Sequence, residues 1–222
     1  MYDGIFDADR QHDMRECFLE LSNKGVYKGL KKNTVIELPS NDLIGIVIEG
    51  KIKQIISNAN GVQKSLFILQ PGEIFGEMDY FGGGRAPVIQ RAITHCIISI
   101  VSRYSMEKEI ERNPQVYRYF MHSIVRKFRI VMLQMGDMMF SDALTRIVNM
   151  ILRLYIQQGK EIDNYGIIDM PFTHQQLAEL IGCSRVTVTR GINYLRDKGI
   201  VDVKQKKIII KDMDALKKYM EY

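Results

Sequence analysis

The chain has 222 residues, with 31 basic against 26 acidic side chains and a net charge of +5, which is enough to bury one large core or two smaller ones. No run of about 18 apolar residues occurs and the acidic start lacks an apolar signal segment, so a membrane-spanning or exported protein is not expected and a cytoplasmic one is. Cys17, Cys96 and Cys183 are widely separated and form no CxxC pair, a pattern of reduced thiols rather than of a disulfide framework.

In chain order, residues 9–23 read as a short amphipathic helix. From about Thr34 to Arg103 the text changes to short β-branched runs parted by glycine. Strands are expected near 43–48, 51–56 and 62–69, with turns at Glu49-Gly50, Asn58–Gly61 and Pro71-Gly72, and "RAITHCIISIVSR" adds a further strand. Many strands with tight glycine turns suggest an antiparallel sandwich or barrel. From Met106 the period changes. Met121, Ile124, Phe128, Val131, Met135 and Met138 alternate by three and four, giving three heptads of apolar seam on a helix of about 25 residues. Such a seam must be covered, either by the chain's own β-domain or by a sister helix in a parallel homodimer; a sustained repeat near 3.5 favours the sister.

Further on, Thr173 and Gln176 have capping-box spacing before Leu177, Leu180 and Ile181. Gly182 can end that helix and Ser184 can cap the next, on which Val188, Ile192 and Leu195 form one stripe. Two short helices joined by a glycine-containing turn make a helix-turn-helix. Arg185, Val186, Thr189, Arg190 and Asn193 share the opposite arc. In a major groove arginine can bond guanine O6 and N7, and valine or threonine can meet the thymine methyl. Val186 either faces DNA in this way or packs on a neighbouring loop. Two β-runs follow, 200–203 and 208–211, around a turn carrying Lys204, Lys206 and Lys207, a wing suited to phosphate contact. The charge agrees: residues 171–222 hold ten basic and six acidic side chains, and the rest is nearly neutral.

Together, "VIEGKIK", "LQPGEIFGEM", the long seam helix and "FTHQQLAELIGCSRVTVTRGINYLRDKGIV" resemble the CRP/FNR family of bacterial transcription regulators, over nearly the whole chain. The resemblance implies an α+β protein: an N-terminal antiparallel, jelly-roll-like β-roll over 1–105 that senses an effector, a dimerisation helix over 106–141, and a winged helix-turn-helix over 142–222. It implies a homodimer on a palindromic DNA operator, with RNA polymerase as a further partner. Carried over by residue, Ser184, Arg185, Val186, Thr187, Thr189 and Arg190 face DNA, with His174, Gln175 and Lys206 near phosphates. Catabolite-type members have a cytosine-reading glutamate where this chain has Val186, which points to an A·T pair there.

Cyclic-nucleotide members cradle the phosphate on backbone N–H groups after an FGE motif and add an Arg-Ser or Arg-Thr pair. This chain keeps Phe75-Gly76-Glu77 but continues to Arg85-Ala86-Pro87, with Arg91 at the wrong spacing. Ala86 has no hydroxyl, Pro87 has no N–H, and Asp79 adds negative charge, so cyclic AMP is not the expected effector and Glu77 reads as structural. An iron–sulfur cluster needs four cysteinyl ligands and is not expected. An unidentified small molecule near Gly76, Glu77, Arg85, Arg91 and Phe128 remains, as does a constitutive regulator whose β-roll has lost its ligand. No HExxH, GxSxG or Walker motif points to an enzyme.

Overall fold

The computed structural model describes residues 7–220, which divide between Ile130 and Val131 into two compact units. The first unit begins with α1 (Ala8–Ser22), whose first turn is capped by Asp7 accepting from the Arg10 amide at 2.9 Å. Eight strands follow: β1 (Val26–Leu30), β2 (Val35–Ile36), β3 (Leu43–Glu49), β4 (Ile52–Ser57), β5 (Gln63–Leu69), β6 (Ile74–Phe75), β7 (Ile89–Ala92) and β8 (Cys96–Ser102). A short helix, α2 (Glu77–Gly82), lies between β6 and β7.

All pairings among these strands are antiparallel, and they form two four-stranded sheets ordered β1-β8-β3-β6 and β2-β7-β4-β5. Leu30, Val47, Ile52, Leu69, Phe75 and Ile98 fill one core cluster of this roll. A second cluster joins α1 to the sheets and the helices after them, through Phe18, Ile44, Ile46, Met106 and Phe120. Gly45 is needed there: a Cβ at that position would fall inside the Phe75 ring. The three strands with strong β-branched runs form where the sequence places them, whereas β1, β2 and β6 are short and carried no signal of their own.

The expected long helix is two. α3 (Arg103–Arg112) ends at Asn113, and α4 (Gln115–Phe140) starts after Pro114. Proline has no N–H to continue α3 and pushes Asn113 out of helical conformation, to φ −136° and ψ 89°.

The second unit holds the end of α4, then α5 (Ala143–Gln158), β9 (Gly159–Ile162), β10 (Tyr165–Ile168), α6 (His174–Ile181), α7 (Arg185–Asp197), β11 (Val201–Lys204), β12 (Lys207–Ile210) and α8 (Met213–Lys217). α5 is capped by Asp142, which accepts from the Thr145 amide at 2.7 Å, and it buries Ile147, Val148, Ile151 and Leu154. Its Arg153 pairs with the buried Asp137 carboxylate, which also accepts from Asn149 at 2.9 Å. The four strands make one antiparallel sheet ordered β11-β12-β10-β9. No described helix is long and apolar enough to cross a membrane.

Candidate nucleic-acid interface

The helix pair α6–α7 is built from local signals. Thr173 and Gln176 form the reciprocal capping box, Gly182 takes the left-handed conformation (φ 79°), and the Ser184 hydroxyl accepts from the Thr187 amide at 3.1 Å. Val188, Ile192 and Leu195 are buried beneath α7. Gly191 lets α7 approach α5 closely, since a Cβ there would clash with the Ile147 side chain.

With that face fixed, Arg185, Val186 and Arg190 are exposed together on the opposite side, Val186 at 58%. Neither arginine has an ion-pair partner among the described residues. Thr189 is different. Its hydroxyl donates to the Arg185 carbonyl at 2.9 Å and lies 2.8 Å from His174 Nδ1, so Nδ1 carries the proton and donates to it. Thr189 is left with its methyl group to offer, beside Val186. Thr187 is half-buried against Ser184, and Gln175 is exposed at the start of α6.

The wing is the β11–β12 hairpin, whose two tip residues, Gln205 and Lys206, both have positive φ (50° and 63°). The Phe172 amide donates to the Lys206 carbonyl at 2.8 Å, tying the tip to the segment before α6. Lys207 is not equivalent to its neighbours: with Lys160 it holds Asp169, at 2.7 and 2.9 Å, and these bonds keep that carboxyl at about 2. Lys204 and Lys206 are exposed.

The β-roll residues singled out in the sequence are spread over α2, the loop after it, β7 and α4. Gly76 (φ 90°) caps α2, and Glu77 is buried with one oxygen accepting from Lys127 Nζ at 2.7 Å. Lys127, on α4, also donates to the Ile74 carbonyl at 2.8 Å. That partner, fifty positions away, had no sequence signal. Arg85 is exposed, Arg91 lies on β7 opposite Val35 and Lys53, and Phe128 is 62% exposed on α4. Asp79, within α2, accepts from the Ala86 amide in the loop after it at 2.7 Å. A carboxylate of the chain itself therefore holds an N–H where a phosphate cradle would need one free.

α4 buries the apolar Val116, Phe120 and Ile130, but its other buried positions are unusual for a surface helix. Its buried positions include Ser123, Lys127, Gln134 and Asp137, whereas Met121, Phe128, Met135 and Met138 are exposed, with Ile124 and Val131 half-buried. Val125, Met132 and Met139 broaden the exposed apolar stripe.

A two-sheet roll, a seam helix and a winged helix-turn-helix define a DNA-binding transcription regulator of the effector-responsive type. Two family models match, a cyclic nucleotide-binding domain over residues 37–113 and a Crp-like helix-turn-helix domain over 145–219. The chain belongs to the CRP/FNR family. It is 24% identical to the cAMP-activated global transcriptional regulator CRP of Salmonella typhimurium, over 86% of this chain and 91% of the relative. Among solved structures it resembles a CooA mutant from Carboxydothermus hydrogenoformans, at TM-score 0.78 and 16% identity over 90% of this chain and 89% of the other. It also resembles OCPA-complexed CprK, at TM-score 0.70 and 21% identity over 88% and 91%.

Proposed function

We propose that two copies of the chain pair along α4 and place their α7 helices in successive major grooves of a palindromic operator, about 34 Å apart. Arg185, Val186 and Arg190 read bases; Ser184, Thr187, Thr189, His174 and Gln175 border them, and Lys206 meets phosphate at the wing. The observation that carries this reading is the exposed Arg185–Val186–Arg190 face over a fully formed core stripe. The exposed apolar stripe of α4, set against polar groups on its inner side, supports the pairing. Such a protein acts on transcription in the cytoplasm through contact with RNA polymerase, without catalysis of its own.

The effector is a small molecule other than cyclic AMP. Asp79 on the Ala86 amide, the missing N–H of Pro87 and Lys127 on Glu77 all occupy or remove the groups that a cyclic phosphate and its ribose would use. The same contacts support a second reading, a constitutive regulator whose roll is closed by its own side chains. A thermal-shift screen separates the two, because a ligand bound only by the folded state raises Tm. Selection of operators from a random library tests the first: a two-fold symmetric site is expected, and an asymmetric or featureless one refutes it.

A further inference from the structure

A cavity of about 170 Å³ lies on the flank of the first unit, between α1 and α4, lined by Arg10, Met121, His122, Val125, Arg126 and Arg129. Among the described residues its wall carries three guanidinium groups and no carboxylate. Beneath it Glu73, 2% exposed, is shared between Arg15 at 3.0 Å and Arg126 at 3.2 Å, and accepts from the Gln11 amide at 2.8 Å. Gln11 in turn faces His122 Nε2 at 3.3 Å. One buried carboxylate thus balances two buried or half-buried cations, while Arg10 and Arg129 have no ion-pair partner among the described residues. His122 registers the surplus: burial first, then Arg10, Arg126 and Arg129, hold its pKa below the ordinary imidazole range against the opposing charge of Asp7. Burial would oppose any charge, but the share of this shift that comes from the three arginines is a positive field, which favours an anion.

We propose that this cavity binds a small organic carboxylate. The guanidinium forks of Arg10 and Arg129 take the carboxylate oxygens, and Met121 and Val125 receive a short apolar body. Its volume falls below the roughly 300–1,000 Å³ of pockets for larger ligands, which fits one ring or a short chain. The site lies apart from Gly76 and Glu77 in its lining. Met121 and Val125 also belong to the exposed stripe of α4, so an occupant touches the seam; this link to DNA affinity rests on the regulator reading above, and the site itself does not.

The test is calorimetric titration of benzoate, with butyrate as a second probe, into the full-length protein. One saturable site per chain is expected, weakened at least about tenfold in the R10Q/R129Q double variant, a loss of 1.4 kcal/mol or more. Both substitutions are at exposed positions, and an unchanged melting temperature shows that the variant is folded. Benzyl alcohol, which keeps the ring without the charge, is expected not to bind. Binding is also expected to raise the His122 pKa seen by NMR. No saturable binding of either acid at millimolar concentration, or equal binding in the double variant, overturns the proposal; inorganic phosphate binding as tightly as benzoate overturns the assignment to an organic acid. Operator affinity is measured with and without benzoate. An unchanged affinity despite binding refutes the link to the seam, whereas failure to bind a selected operator both with and without benzoate counts against the regulator reading alone.

Discussion

Phe128→Asp is the sharpest probe of the pairing along α4, because the ring is 62% exposed in the protomer. A phenylalanine side chain offers roughly 200 Å², so about 125 Å² remains to be covered by a partner, worth about 3 kcal/mol per chain at 25 cal/mol per Å². A symmetric dimer loses this twice, about 6 kcal/mol, before the cost of holding two carboxylates in an apolar seam. At 1.4 kcal/mol per tenfold, the dimer constant weakens by about four orders of magnitude. Sedimentation equilibrium is expected to show monomer at micromolar concentration, with the helical signal of the protomer intact. Met135→Asp, at 57% exposure, should behave alike. By contrast Ile124 and Val131 are half-buried within the protomer, and a charge there would confound loss of pairing with loss of folding. A Phe128→Asp protein that remains a dimer with an unchanged constant refutes the seam.

Glu73→Gln is expected to cost about 3–5 kcal/mol, read as a lower urea midpoint, since it leaves the buried Arg126 without its carboxylate. Burial alone would raise the Glu73 pKa, but Arg126 and Arg15 reverse the sign and hold it low. Its contribution is therefore complete above the unfolded value of about 4.3 and disappears as pH falls through the lower folded value, an acid dependence the variant should lose. Arg185→Ala should weaken the best operator by about 1–3 kcal/mol and relax one base position, whereas Lys206→Ala should weaken all sequences alike and flatten the salt dependence by about one unit. Cyclic AMP at high micromolar concentration should give no saturable heat; binding that raises operator affinity would show that Asp79 yields the Ala86 amide to a phosphate.

What the sequence disclosed depended on the range of the interactions. The capping box at Thr173, the glycine at 182 and the stripe Val188–Ile192–Leu195 are written within a turn or two of one another, and the helix-turn-helix forms where they lie. The heptad of α4 was equally plain, but its meaning was not: only the burial of Lys127, Gln134 and Asp137 on the inner side shows that the apolar stripe faces outward. α5 and the β9–β10 hairpin also have local signals, weaker ones: Asp142 before an apolar run is a start signal, and Asp163-Asn164, both at positive φ, mark the hairpin turn. Pro114 is the stop signal that parts α3 from α4. The contacts Lys127–Glu77, Arg126–Glu73 and Asp79–Ala86 join residues that no periodicity links.

Val186→Glu tests base reading at a single position. The residue lies in the first turn of α7, where a carboxylate meets the helix dipole favourably by about 0.3–1 kcal/mol, so the variant should fold at least as well as the parent. Ser184 already caps that turn and Thr189 is engaged by Arg185 and His174, which leaves the new carboxylate directed away from the protein. In the groove it can accept from cytosine N4, and beside a thymine O4 it is repelled. Selection from a random operator library should therefore shift one position in each half-site from A·T towards G·C, by about 1–3 kcal/mol of preference, with the arginine-read positions unchanged. A parental site that already carries G·C there, or a variant site that does not move, would mean that the exposed Val186 side chain does not read that base pair, and base reading by α7 would then rest on its two arginines alone.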